Sequence, residues 1–326
     1  MALNSQNNNA ALSPGVIVSL DELIKLRVHA TNLDFSSQGK IFSNLSGGYI
    51  SHFRGRGIDF QEVRIYQPGD DIRSMDWRVT ARSGRPHTKL FREERERPVF
   101  FVVDNSSSMN FGSRTTFKSV LAAKAAAVLA WAAVKNNDRV GGIIFSDHGY
   151  HELRPQGGRR GVLRLIKLIT DTQQHSVQNH ATQAAQLSTA LTHLLQVART
   201  GSRIFLLSDF RTLDEDAYRQ LVRLSRHNEI IWVFTFDPLE AQPPASGRYA
   251  ISDGRRIFSF NTWNPNFCQA YRERFIQRVN ELTTTCRKLG IHFLSLATND
   301  DVVRALHSGL TSRAAPMVHS VKKEAV

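Results

Sequence analysis

The sequence predicts an α/β protein: a doubly wound, mostly parallel sheet with helices on both faces, preceded by a small β-rich, irregular segment. Three observations carry this. Val99-Phe100-Phe101-Val102-Val103, Ile204-Phe205-Leu206-Leu207 and Ile230-Ile231-Trp232-Val233-Phe234 are short, unbroken apolar runs, as expected of strands buried on both faces. Helical stretches alternate with these runs, and that alternation builds a parallel sheet. The 326 residues are 41% hydrophobic and 22% charged, an ordinary balance for a folded chain.

Taken in order, residues 1–18 are polar and Asn-rich and read as a disordered lead-in. Ser19-Leu20-Asp21-Glu22 opens a short helix through about Leu33, with Ser19 placed to cap it and Glu22 in capping-box position. From Phe42 to Arg97, glycines and short alternations such as Glu62-Val63-Arg64-Ile65-Tyr66 predict short strands and loops without a long helix. Residues 19–98 are therefore read as one N-terminal region and 99–311 as the α/β domain.

Within that domain, strands are expected at Val99–Val103, Arg139–Ser146, Ile204–Leu207, Ile230–Phe234 and Ile291–Leu296. Helices are expected at about 116–135, 160–171, 184–199, 213–227, 264–289 and 299–309. Asp253-Gly254 between two alternating runs marks a hairpin inserted at about 239–262, and residues 312–326 form a polar tail.

Composition narrows the function classes. No apolar run reaches the roughly 18–20 residues that span a bilayer. The opening residues have neither a basic start nor an apolar core, and there are only two cysteines, so a reduced, cytoplasmic setting is expected. Cys268 and Cys286 lie 18 residues apart on one expected helix. That is about 27 Å along its axis, too far to share a metal. The net charge of +13 favours acidic partners. The arginines are scattered, however, and Arg92-Glu93-Glu94-Arg95-Glu96-Arg97 alternates in sign like a solvated face, which argues against nucleic-acid binding. There is no phosphate-binding Gly-x4-Gly-Lys loop, no His-Glu-x-x-His and no Gly-x-Ser-x-Gly elbow. Nothing here supplies a nucleophile paired with a base, so no enzyme is expected.

In a doubly wound sheet, ligands bind at the carboxyl ends of the strands, near the reversal in strand order. Two acidic residues close such strands: Asp104, opening Asp104-Asn105-Ser106-Ser107-Ser108, and Asp209, in Ser208-Asp209-Phe210. A carboxylate and two hydroxyls at alternate positions can aim oxygens at one centre, the hard donor set that Mg²⁺ takes. The same residues also suit Asx and Ser turns that bond only their own backbone.

Asp104-x-Ser106-x-Ser108 resembles the metal-ion-dependent adhesion motif of von Willebrand factor A domains, and Asp209 matches its second aspartate. The upstream strings Phe53-Arg54-Gly55-Arg56-Gly57-Ile58-Asp59-Phe60, Glu62-Val63-Arg64-Ile65-Tyr66-Gln67-Pro68-Gly69-Asp70-Asp71-Ile72-Arg73 and Asp76-Trp77-Arg78-Val79-Thr80-Ala81-Arg82 resemble the DUF58 family. The likeness covers roughly residues 42–310. It implies a von Willebrand A-like domain holding Mg²⁺ through Asp104, Ser106, Ser108 and Asp209. It also implies a cytoplasmic adaptor for a MoxR-type AAA+ ATPase and its client protein, with the ion assisting protein recognition. One departure stands out: Leu187-Ser188-Thr189-Ala190-Leu191 aligns so that Ala185 takes the place of the motif's threonine, leaving Thr182 as a substitute ligand. A scaffold with a vestigial ion site is the alternative that this departure favours; a metal-dependent hydrolase or a nucleic-acid binder has less support.

The signature residues Arg64, Asp70, Asp71, Arg73, Asp76, Trp77 and Arg82 read either as an ion network joining the N-terminal region to the α/β domain or as an exposed recognition surface. Trp77 and Tyr66 beside them favour packing.

Overall fold

A computed structural model describes residues 15–33, 58–68, 70–93, 96–178, 187–252 and 257–311. These form two compact units: one of residues 15–33 and 97–311, the other of the described residues among 37–96.

The chain opens with helix α1 (Leu20–Lys25), continued by a 3-10 helix, Leu26–Asn32. Ser19 caps α1 as its position requires, its hydroxyl accepting from the Glu22 amide at 3.2 Å. The expected helix through Leu33 thus tightens after six residues. The α1 segment belongs to the α/β unit and not to the signature region with which it was grouped. Its apolar residues explain this: Val18, Leu23, Ala30 and Leu33 are buried in the core of the larger unit. Trp131 also donates its indole N–H to the Leu23 carbonyl at 3.3 Å.

The smaller unit pairs β1 (Ile58–Ile65) antiparallel with β2 (His87–Glu93), with a bulge between Phe60 and Glu62. Helix α2 (Trp77–Ser83) lies between them, capped by Asp76 and ended by Gly84 in the left-handed conformation (φ 69°).

The larger unit runs β3 (Pro98–Asp104), α3 (Lys118–Lys135), β4 (Arg139–Ser146), β5 (Gly149–Gln156), α4 (Gly158–Gln178), α5 (Leu187–Val197), β6 (Arg203–Ser208), α6 (Glu215–Ser225) and β7 (Glu229–Phe236). It continues with α7 (Pro238–Ala241), a hairpin of β8 (Arg248–Ser252) and β9 (Ile257–Asn261), α8 (Pro265–Leu289), β10 (His292–Ala297) and α9 (Val302–Thr311). The sheet order is β10-β7-β6-β3-β4-β5, parallel except for the edge strand β5. Strand β5, like the short helices α2 and α7, is not among the expected elements: five of its eight residues are exposed, so it lacks the apolar run of a buried strand.

Alternation along the strands builds two cores. Val99, Phe101 and Val103 join α3, α4 and α9 on one face, while Phe100 and Val102 join α5, α6 and α8 on the other. Helix α3 is buried almost all round, which its alanines permit by keeping the helix thin. Gly142 serves a similar end in β4. A Cβ there would lie 2.6 Å from the Phe101 carbonyl oxygen and 3.0 Å from Leu165 Cδ1, so glycine lets α4 lie close on the sheet. From β3 the chain winds outward through β4 to β5, then returns to the other side of β3 with β6. The reversal falls between β3 and β6, and both strands end there in acidic loops.

Candidate functional site

The parallel register that sets Val103 beside Leu207 brings Asp104 opposite Ser208. Ser208 Oγ donates to Asp104 Oδ2 at 2.5 Å and accepts from the Phe210 amide at 2.9 Å, so one hydroxyl ties the two strand ends together. Asp104 Oδ1 accepts from the Ser106 amide at 2.9 Å, and the Ser106 and Ser108 hydroxyls stand 3.1 Å apart. The Ser107 amide donates to Asp147 Oδ2 at 2.7 Å. Asp104 is 1% exposed. Burial, reinforced by the charge of Asp209, pushes its carboxyl up to about 6 despite the bonds from Ser106 and Ser208.

After Asp209 the chain turns through a left-handed residue, Phe210 (φ 54°), a conformation that costs energy for any side chain but glycine. Its ring stacks on Trp232 with centroids 4.3 Å apart, and the Asp209 carbonyl accepts from the Arg278 guanidinium. This turn aims the Asp209 carboxylate at α3. Asp209 Oδ2 accepts from Lys118 Nζ at 2.7 Å, and Oδ1 from the Arg211 amide at 3.0 Å.

Lys118 also donates to Glu240 Oε1 at 2.9 Å, and Arg211 Nη2 reaches the same oxygen at 2.6 Å. Burial by itself would raise the Asp209 carboxyl; the Lys118 ammonium and the Arg211 amide outweigh it and hold it below the usual carboxylate range. Glu240 is placed by a capping box at the end of β7: Asp237 caps α7, and Glu240 Oε2 accepts from the Asp237 amide at 3.0 Å. Asp237 Oδ2 in turn accepts from Thr298 Oγ1 at 2.6 Å and the Ser113 amide at 2.8 Å, which anchors the loop between β3 and α3.

An aspartate thus closes β3 and directly follows β6 and β7: Asp104, Asp209 and Asp237. Beside the cluster a groove of 820 Å³ opens, lined among others by Phe210, Arg211, Tyr271, Arg274, Phe275 and Arg278.

The structure brings Asp104, Ser106, Ser108 and Asp209 together; Thr182 and Ala185 lie outside the described residues. Whether these donors suit Mg²⁺ turns on charge. Asp209 and Glu240 carry two negative charges, and Lys118 and Arg211 carry two positive ones in direct contact with them. Two unit charges about 4 Å apart interact by about 4 kcal/mol at an effective dielectric of about 20, and a divalent ion near the ammonium would feel roughly twice that repulsion. The oxygens are present, but the charge of Asp209 is already met by Lys118 and Arg211, which opposes Mg²⁺ at that end of the site and leaves Asp104 as the carboxylate these cations do not neutralise. Among the described residues, no three His, Cys, Asp or Glu side chains are grouped to hold a metal.

The residues that sequence reasoning missed are Lys118, Ser208, Arg211, Asp237, Glu240 and Arg278. One local clue pointed to Lys118. A lysine in the first turn of a helix opposes the helix dipole, and a charge there in an alanine-rich segment calls for a tertiary reason.

The signature residues behave differently. Arg64 pairs with Asp70 at 2.7 Å, half-buried. Asp71 accepts from the Arg73 amide, and Asp76 from the amides of Arg78 and Val79, as residues that open helical turns do. Lys89 lies 3.6 Å from Asp76. Among the described residues these contacts are two separate pairs and local caps, not the single ion network that was one of the two expectations. Trp77, expected to pack, opens α2 and is 66% exposed. Arg73 and Arg82 are exposed as well.

Comparison with known proteins places this arrangement. The chain is 27% identical over 281 residues to the uncharacterized proteins Rv1480 of Mycobacterium tuberculosis and Mb1516 of Mycobacterium bovis, covering 85% of this chain and 86% of each relative. Among solved structures it is similar to the conserved hypothetical protein BatB from Bacteroides thetaiotaomicron, with 13% identity, a TM-score of 0.40, and coverage of 66% of this chain and 97% of that one. It is also similar to an aerotolerance-related membrane protein from Bacteroides fragilis, with 13% identity, a TM-score of 0.38, and coverage of 66% and 98%. The model of the DUF58 family, described as a protein of unknown function, matches residues 62–281, and the chain belongs to that family.

Proposed function

We propose that this chain is a non-enzymatic protein-binding module with a von Willebrand A-like domain, acting in the cytoplasm as an adaptor between a MoxR-type AAA+ ATPase and a client protein. The observation that carries the reading is the crevice at the switch point, and Arg211 in particular. Arg211 is tied to Asp209 and Glu240, yet its side chain is 51% exposed. The rest of the cluster is held rigidly by internal bonds, so the crevice presents a preorganised surface with little ordering cost on binding.

The groove beside Arg211 adds Arg274 and Arg278 along with Phe210, Tyr271 and Phe275. Guanidinium groups with aromatic rings suit an acidic, partly apolar segment of a partner. The surplus of +13 charges would speed encounter with such a segment. Recognition of this kind needs no metal, because Arg211 supplies the outward positive charge.

The test is biolayer interferometry of the purified chain against the purified MoxR-type ATPase of the same organism. The wild-type chain should bind, and Arg211→Glu and Arg274→Glu should each weaken binding by about tenfold or more, equivalent to about 1.4 kcal/mol. Absence of wild-type binding would overturn the adaptor role. Equal binding by both variants would remove the crevice from it and leave the chain a scaffold, the reading that the sealed ion cluster otherwise favours.

A further inference from the structure

We infer that the ammonium of Lys118 is the resident cation of the switch-point crevice, engaging Asp209, the second aspartate of the adhesion motif, in place of a divalent metal, so that this site works without one. Three observations independent of any partner lead there. Lys118 has no exposed surface, and its Nζ lies 2.7 Å from Asp209 Oδ2 and 2.9 Å from Glu240 Oε1, so it is enclosed as an ion would be. Its position is fixed: Lys118 begins α3, its amide donates to the Phe111 carbonyl at 2.9 Å, and the loop before it is pinned by the Ser113 amide on Asp237 and by Thr115 Oγ1 on the Thr298 carbonyl. Around Asp209 itself the opposing charges in contact balance, Asp209 and Glu240 against Lys118 and Arg211.

An ammonium offers three N–H donors and no open coordination position. A metal ion would keep exchangeable positions for a ligand's oxygen. With Lys118 in that role the inner cation holds the strand ends together, and contact with any ligand falls to Arg211 at the rim. The inference concerns the same crevice as the recognition reading, but its test uses no partner, so the two can fail separately.

The experiment is thermal unfolding and isothermal titration of the full chain with Mg²⁺ and Mn²⁺ at millimolar concentration against EDTA. The wild-type melting temperature should be the same in all three, with no heat of binding. The variant Lys118→Ala leaves Asp209 and Glu240 facing each other across a space the size of the lost ammonium. It should melt lower in EDTA and recover by roughly 5 °C or more in Mn²⁺. Metal-dependent stabilisation of the wild-type chain would overturn the inference, and so would a folded Lys118→Ala indifferent to Mn²⁺. Should that variant not fold in EDTA, refolding in Mn²⁺ decides: recovery of soluble, cooperatively melting protein supports the inference, and its failure while Lys118→Met/Asp209→Asn folds overturns it.

Discussion

The aspartates of the strand ends and those of the signature segment are the same residue in opposite circumstances. Asp104, Asp209 and Asp237 are buried at the carboxyl ends of β3, β6 and β7, and each is held by partners far away in the chain. Asp71 and Asp76 bond amides two or three residues on, and Asp70 pairs with Arg64 six residues away. In the first region a carboxylate has lost its water and depends on what the fold supplies; in the second it keeps much of its water and closes a local turn. The cost of disturbing each should differ accordingly, and Asp104 should differ from Asp76 in the sign of its pH dependence.

The largest effect is expected at Lys118. Lys118→Met strips the enclosed cation from the buried Asp209 and from Glu240 and should cost about 3–5 kcal/mol in chemical denaturation. The double variant Lys118→Met/Asp209→Asn should recover a large part of that loss, because it removes the stranded charge as well. No recovery would mean that the loss does not come from Asp209 left without its cation.

Next comes Asp104. Its folded value of about 6 lies above the ordinary 3.8, so the folded chain binds this proton more tightly than the unfolded chain does. Its contribution is full below about pH 4 and is lost as pH rises through 6, a loss of about 3 kcal/mol. Asp104→Asn should remove that slope from a pH series of denaturation midpoints, and an unchanged profile would show that Asp104 is not the group responsible.

Asp76 has the opposite sign. The Val79 amide holds its carboxyl below the usual range against a smaller opposing effect of burial, so its contribution is present above the ordinary value and lost on acidification. Asp76→Ala should speed hydrogen exchange at the amides of Arg78 and Val79 while leaving β6 amides unchanged. Equal acceleration in β6 would break the contrast between the regions. The smallest effect belongs to Asp70→Asn, which breaks a single partly buried pair and should cost about 1 kcal/mol or less in denaturation. A larger loss would mean that Arg64 and Asp70 support more than each other.

Much of the fold was legible because its cues are local. Continuous apolar runs marked β3, β6 and β7, Ser19 marked the start of α1, and Asn264-Pro265 and Gly290 bracket α8 as cap, first-turn proline and left-handed stop. The hairpin of β8 and β9 followed from its alternation, while its turn lies outside the described residues. Strand β5 escaped because an exposed edge strand has no apolar run. The place of α1 escaped because a short amphipathic helix does not announce which core it joins.

The candidate site divides the same way. Asp104 and Asp209 could be named because they stand at the ends of recognisable strands, and Ser106 because it follows Asp104 at alternate spacing. Their partners could not be named: Lys118 and Asp209 are 91 residues apart, and Lys118 and Glu240 are 122 apart. By itself the sequence determined the kinds and order of elements and the two acidic strand ends, since these depend on side-chain periodicity and on turn chemistry within a few residues. Only the tertiary structure decided which cation those carboxylates face, because a buried charge is settled by whichever opposite charge the packing encloses with it.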